Sequence, residues 1–326
     1  MKTFLTRTHL EHGRRAFAAF LIGAGVLSFA ALVGVASAAG FDAVWDDLRH
    51  VDPMWLLVAL GGEVVAYIGY IVAYREVARV ERGPDIGATD AAALVSTGFG
   101  PFIMQGGFAV DLHAFRSYGV SDREARVRVL GLGALEYALL APAASIASML
   151  LLVEGVHHPN AGITLPWAIA VPLGFMAALW ALAHRRRFHG RGRVRGALAQ
   201  ALDSIHVLKC LFVRYRHAAG PVGTALYWFG DIFCLWACLH AFEGTAPGIA
   251  QLVVGYATGY ALTRRTLPFA GAGAVEALLP FALAWTGFPL AAALLAVFSY
   301  RIFNLWLPVV PAAAGLRRLR RAEATA

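Results

Sequence analysis

Glu63, Asp111, Glu136, Asp231, Arg264, Arg265, Glu276 and Arg301 all fall inside stretches of this chain that are otherwise apolar. An ionisable side chain in such surroundings costs several kcal/mol unless it is paired, so each is a candidate for binding or for an ion pair. The most informative run is Arg264-Arg265-Thr266-Leu267-Pro268-Phe269-Ala270-Gly271-Ala272-Gly273-Ala274-Val275-Glu276. Pro268 ends one half-helix, and the small residues after it let the chain turn and restart as another. A restarting helix has free amide groups near Gly271 and Gly273, and its dipole favours an anion there. Arg264 and Arg265 at the preceding break suit a phosphate, which guanidinium holds through paired donors. Glu276 falls in the first turn, where it can position an arginine or meet a substrate amine or hydroxyl. In the plainer reading Glu276 caps the turn and the arginines snorkel to an interface. Glu63 and Asp231 likewise have a structural alternative, pairing with an arginine from another helix. An earlier run, Gly106-Gly107-Phe108-Ala109-Val110-Asp111 followed by Arg116, offers a second polar turn.

Signatures of other chemistry are missing. The sequence has no His-Glu-x-x-His zinc pattern, Gly-x-Ser-x-Gly elbow, Walker loop or dinucleotide fingerprint. Cys234 and Cys238 stand four apart in an apolar stretch and read as small packing residues, as does Cys210. No Cys/His group shows metal-ligand spacing, and His157-His158 beside Pro159 reads as a polar cap; no metal and no cofactor is expected. Ser96 and Thr97 lack a placed histidine, so intramembrane serine proteolysis is not expected either.

The elements that position these residues follow from composition. Of 326 residues, 59% are hydrophobic and only 15% charged, and mean hydropathy is +0.63. A soluble domain is nearer a quarter charged, so the deficit calls for an apolar solvent. The net charge of +8 does not indicate nucleic acid, because the basic residues sit in short loops between apolar segments. Arg14-Arg15 precede an apolar run over 16–39 that ends in Ala36-Ser37-Ala38, a sequence resembling a signal-peptidase site. The run is longer than an ordinary signal core, so an uncleaved first helix is expected. Seven further apolar regions cover 54–74, 88–118, 129–153, 163–183, 220–242, 249–285 and 289–314.

Charge decides the threading. If all eight regions crossed the membrane, the arginine-rich loop 184–217 would face outside, against the positive-inside rule. If instead the two interrupted regions, 88–118 and 249–285, enter and leave on one side, every basic loop becomes cytoplasmic. The loop with Asp42, Asp46, Asp47 and Asp52 is then external. The expected fold is therefore an all-α polytopic membrane protein, a single domain over 1–326, with about six full spans and two re-entrant helical hairpins. The halves form an inverted repeat, a recurring transporter design with its site near the midplane. Both termini would be cytoplasmic, and residues 196–217 would form an amphipathic helix within the basic loop 184–217. Lys2 and Lys209 are the only lysines among 28 basic residues; this arginine bias points to a GC-rich bacterium, and a bacterial inner membrane is the expected location.

The stretch Leu267-Pro268-Phe269-Ala270-Gly271-Ala272-Gly273-Ala274-Val275-Glu276-Ala277 resembles the Pro-x-x-Gly-x-Gly-x-x-Glu-Ala run of the lysylphosphatidylglycerol synthase transmembrane family, or flippase-like domain family. Thr286-Gly287-Phe288-Pro289, Ala291-Ala292-Ala293 and Tyr300-Arg301-Ile302-Phe303-Asn304-Leu305-Trp306 continue the likeness before a basic tail. Upstream, Gly106-Gly107 through Arg116, Tyr118-Gly119-Val120-Ser121 and Glu136 match more loosely, with Asp111 where the family often has glutamate. The resemblance implies a lipid-handling membrane domain, without the soluble aminoacyl-transferase domain of the synthases.

These readings converge on binding and transbilayer movement of an anionic phospholipid or polyprenyl-linked lipid, by a transporter and not an enzyme. Arg264, Arg265, Gly271, Gly273, Glu276 and Arg301 would hold the headgroup. Glu63, Asp111, Arg116, Glu136 and Asp231 are candidates for coupling or for the second half's polar groups. The alternatives are a secondary transporter of a small anionic solute, a membrane-embedded transferase acting on carrier lipids, and a membrane partner subunit of a lipid-modifying transferase. The expected partners are membrane lipids.

Overall fold

The computed structural model of the chain describes residues 7–98, 111–112, 114–116, 118–154, 161–184, 193–213, 217–243, 248–261, 271–309 and 311. Among these residues every regular element is helical. In chain order they are α1 (Arg7–Ala39), α2 (Phe41–Arg49), α3 (Pro53–Arg79), α4 (Ala88–Gly98), α5 (Asp122–Glu154), α6 (Ala161–Ala183), α7 (Arg193–Val213), α8 (Ala219–Glu243), α9 (Ile249–Tyr256), α10 (Ala274–Trp285) and α11 (Leu290–Arg301). Both α9 and α11 run on into a π-helical turn, Ala257–Ala261 and Ile302–Trp306 respectively.

Five segments are long and apolar enough to cross a bilayer: Ala18–Ala39, Pro53–Arg82, Asp122–Val153, Ala161–Ala183 and Ala219–Phe242. At 1.5 Å per residue, even the 22-residue segment covers about 33 Å, the thickness of a hydrocarbon core. Their outer faces carry exposed apolar side chains, as lipid requires. α6 is the clearest case, with Leu165, Ile169, Leu173, Met176, Leu179 and Trp180 all exposed and no charged residue in its 23. The chain is an all-α, multi-pass membrane protein.

Local chemistry sets the boundaries. Asp52 caps α3 by accepting the Met54 N–H at 3.0 Å, and Pro53 occupies the first turn, where its missing donor costs nothing. The amphipathic helix expected over 196–217 is α7, running from Arg193 to Val213. It buries Leu202, Val207, Cys210 and Leu211 on one face. The acidic loop, which the apolar pattern leaves without an element, contains α2. This helix sets Phe41, Trp45 and Leu48, all exposed, on one face at helical spacing, opposite Asp42, Asp46 and Asp47, a pattern suited to a bilayer interface. The two interrupted regions each yield short helices. Region 88–118 begins with α4, and region 249–285 divides into α9 and α10, each too short to span. The expectations for Gly106-Gly107, Pro268, Arg264, Arg265 and His157-His158 fall on residues outside those described.

The centre of the bundle is an antiparallel crossing of α3 and α8 at backbone contact. A methyl group on Gly69 would sit 2.5 Å from Tyr227 N and 2.6 Å from Gly223 O. One on Gly230 would sit 2.5 Å from both Ala66 N and Gly62 O. Only glycine permits that approach, which maximises dispersion contact between helices whose association in lipid gains little from the hydrophobic effect.

Candidate functional site

Six helices, α1, α3, α8, α9, α10 and α11, contribute to one buried polar network. Gly271 and Gly273, with φ of 71° and 81°, turn the chain into α10, and this left-handed backbone is open to glycine at little cost. Gly273 is the N-cap. Glu276, three residues on, folds back so that its Oε2 accepts the Gly273 N–H at 2.8 Å. This is one half of a capping box, since glycine has no side chain to supply the other half. The Glu276 Oε1 atom faces the bundle, where it accepts Ser28 Oγ of α1 and Arg301 Nε of α11, each at 2.9 Å. Both members of the Glu276–Arg301 pair are fully enclosed, at 0% and 2% exposure.

The network continues through the π-helical turns. A π-turn widens the helix by one residue and re-aims the side chains around it. Asn304, in the turn after α11, accepts Arg301 Nη1 at 3.4 Å and the Tyr260 hydroxyl at 2.7 Å through Oδ1. Its Nδ2 donates to Asp231 Oδ1 at 2.8 Å. Tyr260 lies in the turn after α9. Asp231 of α8, at 0% exposure, accepts the Tyr300 hydroxyl at 3.0 Å and also that of Tyr256 through Oδ2. Glu63 of α3 lies within hydrogen-bonding reach of Asp231. The rings of Tyr256, Tyr260 and Tyr300 pack around the carboxylate with centroids 5.0 to 6.5 Å apart, excluding water.

No protein-family model matches the chain, and no curated protein matches it significantly.

Of the residues singled out from sequence, the structure brings together Gly271, Gly273, Glu276, Arg301, Asp231 and Glu63. Asp111 is buried elsewhere, beside Tyr74. Glu136 is buried on α5, and its backbone carbonyl accepts Trp228 Nε1 at 2.9 Å. Arg116 stands at the surface and pairs with Asp122 at 2.7 Å. Sequence reading missed Ser28, Tyr256, Tyr260, Tyr300 and Asn304. The signals available were the i, i+4 tyrosines at 256 and 260 and the Tyr300-Arg301-x-x-Asn304 spacing.

The start of α10 is occupied by the protein itself. Its Gly273 amide is taken by Glu276, and the position a Gly273 side chain would use is filled by Leu27 of α1, 2.9 Å away. Among the described residues the network holds a single cation, Arg301, against Glu276, Asp231 and Glu63. The Glu276 carboxylate is an ionic partner of Arg301, 2.9 Å from its Nε.

Proposed function

We propose that this protein binds an anionic phospholipid or polyprenyl-linked lipid and moves it between leaflets, with Arg301 as the headgroup's cation and Glu276 as its competitor. The observation that carries the reading is the Glu276–Arg301 ion pair, wholly buried at the start of a broken helix inside a bundle whose outer surface is apolar. Breaking a buried pair is costly, so one persists where its partner can be exchanged or where it fixes register. Phosphate offers guanidinium the same paired acceptors as a carboxylate. The lipid tails remain in the bilayer, and Arg264 and Arg265 at the preceding break supply further positive charge as the headgroup approaches. Glu63 and Asp231 are the groups through which movement couples to protons.

A six-span fold with two re-entrant hairpins and inverted halves completes the proposal. It is supported by an internal correspondence. A single shift of 161 residues carries Gly62 onto Gly223, Gly69 onto Gly230, and Ala88, the first residue of α4, onto Ile249, the first of α9. In the α3–α8 crossing Gly62 meets Gly230 and Gly69 meets Gly223, as a two-fold axis across the pair requires. With basic loops inside, the termini are cytoplasmic in a bacterial inner membrane.

The test is movement of headgroup-labelled phosphatidylglycerol in proteoliposomes, read with an external quencher, for wild type, Arg301→Gln, Glu276→Gln and Arg265→Ala. All four proteins must first be shown to be folded. Arg301→Gln should abolish both binding and movement. Glu276→Gln should bind at least as tightly yet move lipid slowly, because nothing recaptures Arg301. Movement unchanged in all three variants would overturn the proposal.

A further inference from the structure

At the end of the bundle away from α2, the turn after α3 faces α7 across a water-accessible cavity of about 300 Å³. The turn is the short 3-10 segment Val80–Arg82, in which Glu81 and Arg82 have φ of 53° and 63°. Two successive non-glycine residues in left-handed backbone are costly, so the surroundings must hold them. Arg128 of α5 does so, donating from Nε to Ala78 O at 3.3 Å and from Nη2 to Val80 O at 3.1 Å. The Glu81 carboxylate is thereby aimed at α7. There His206 Nε2 lies 3.2 Å from Glu81 Oε1 and 3.8 Å from Cys210 Sγ, one helical turn on. All three ligand atoms fall within 4.8 Å of one another.

We infer that Glu81, His206 and Cys210 form a binding site for a divalent transition metal of the zinc class, with solvent as the fourth ligand. The distances support this directly. Tetrahedral zinc, with Zn–S of about 2.3 Å and Zn–N and Zn–O of about 2.0 Å, sets its N···S and N···O edges at about 3.6 and 3.3 Å. The two measured edges, 3.8 and 3.2 Å, need little adjustment. A single nitrogen, Nε2, faces both other ligands, as one bound ion requires. The ligand set selects the metal: thiolate and imidazole exclude magnesium and calcium, which take oxygen. The nearby cations do not compete. Arg123 is engaged by Asp203 at 2.8 Å, and Arg128 by the two carbonyls. Sequence reading found no metal spacing because the two α7 ligands are a plain i, i+4 pair and the third lies 125 residues earlier than His206. A bound ion ties the amphipathic helix to the end of a membrane span.

The test uses the full chain in detergent, treated with chelator and titrated with Co²⁺. Wild type should develop a thiolate-to-cobalt charge-transfer band in the near ultraviolet that saturates at a single equivalent. Cys210→Ser should lose the band, and His206→Gln and Glu81→Gln should each weaken binding by at least about tenfold. A Cys234→Ser/Cys238→Ser variant should keep it. The proposal is overturned if folded wild type shows no band, or if the band survives Cys210→Ser. Should Cys210→Ser fail to fold, undiminished cobalt affinity in His206→Gln overturns it equally, since His206 is partly exposed and its loss leaves the core intact.

Discussion

Replacing Glu276 by glutamine keeps the side chain's size and shape but leaves Arg301 charged and buried without its carboxylate. The ion pair spans 2.9 Å between Nε and Oε1. With charge centres near 4 Å and an effective dielectric of about 20, its Coulomb energy is about 4 kcal/mol. Mutational experience with one-sided breaks of buried pairs falls in the same range, about 3–5 kcal/mol. Against a total stability of about 5–15 kcal/mol, that is a large share. Arg301→Gln should do similar harm by stranding Glu276. The double variant removes both charges and should recover most of the loss, ending within about 2 kcal/mol of wild type. Unfolding in mixed micelles, followed by tryptophan fluorescence, gives the four free energies of the cycle. The expected coupling is at least about 2 kcal/mol, well beyond the roughly 0.5 kcal/mol within which independent sites add. Additivity would refute the reasoning, because it would mean that each group finds compensation outside the pair.

Ser28→Ala removes one charged hydrogen bond from Glu276 and should cost about 2 kcal/mol in the same unfolding assay; no change would detach α1 from the site. Asn304→Leu strips a partner from Asp231, Tyr260 and Arg301 at once and should cost at least about 2 kcal/mol. Gly230→Ala forces a methyl to within 2.5 Å of the α3 backbone and should cost about 1–3 kcal/mol or prevent folding, seen as a lost monodisperse peak on size exclusion. Gly174→Ala, with nothing within 4 Å, should be neutral or raise the melting temperature slightly.

Much of the architecture is legible in the sequence because lipid makes simple demands. An apolar run of spanning length leaves few options, so α1, α3, α5, α6 and α8 fall close to the apolar runs that predict them. Glu276 and Arg301 are legible for the same reason, since a charge in an apolar helix needs an explanation. What joins them is not. Ser28, Tyr260 and Asn304 are uncharged, cost little to bury when bonded, and reach the site from helices far apart in sequence. The π-turns that re-aim Tyr260 and Asn304 leave no local pattern. Sequence reading also offers Arg116 as a candidate coupling or second-half polar group; in the structure it lies at the surface, paired with Asp122.

The glycine crossing and the polar network are one device. Gly62 meets Gly230, and the very next residues are Glu63 and Asp231. Backbone contact at that point is what brings two carboxyl groups on separate spans into reach of each other, next to the chain of bonds that ends at Arg301. Under the proposed function, rocking of α3 against α8 would part this glycine contact and with it Glu63 and Asp231. Such movement would reach Asn304 and Arg301 through hydrogen bonds no longer than 3.4 Å. In the other direction, an anion that took Arg301 from Glu276 would, under the same proposal, loosen Asn304 and, through it, Asp231. The proposed transport needs that reciprocity between what the site binds and how the helices cross, and the adjacency of Gly62 to Glu63 and of Gly230 to Asp231 is where it would arise.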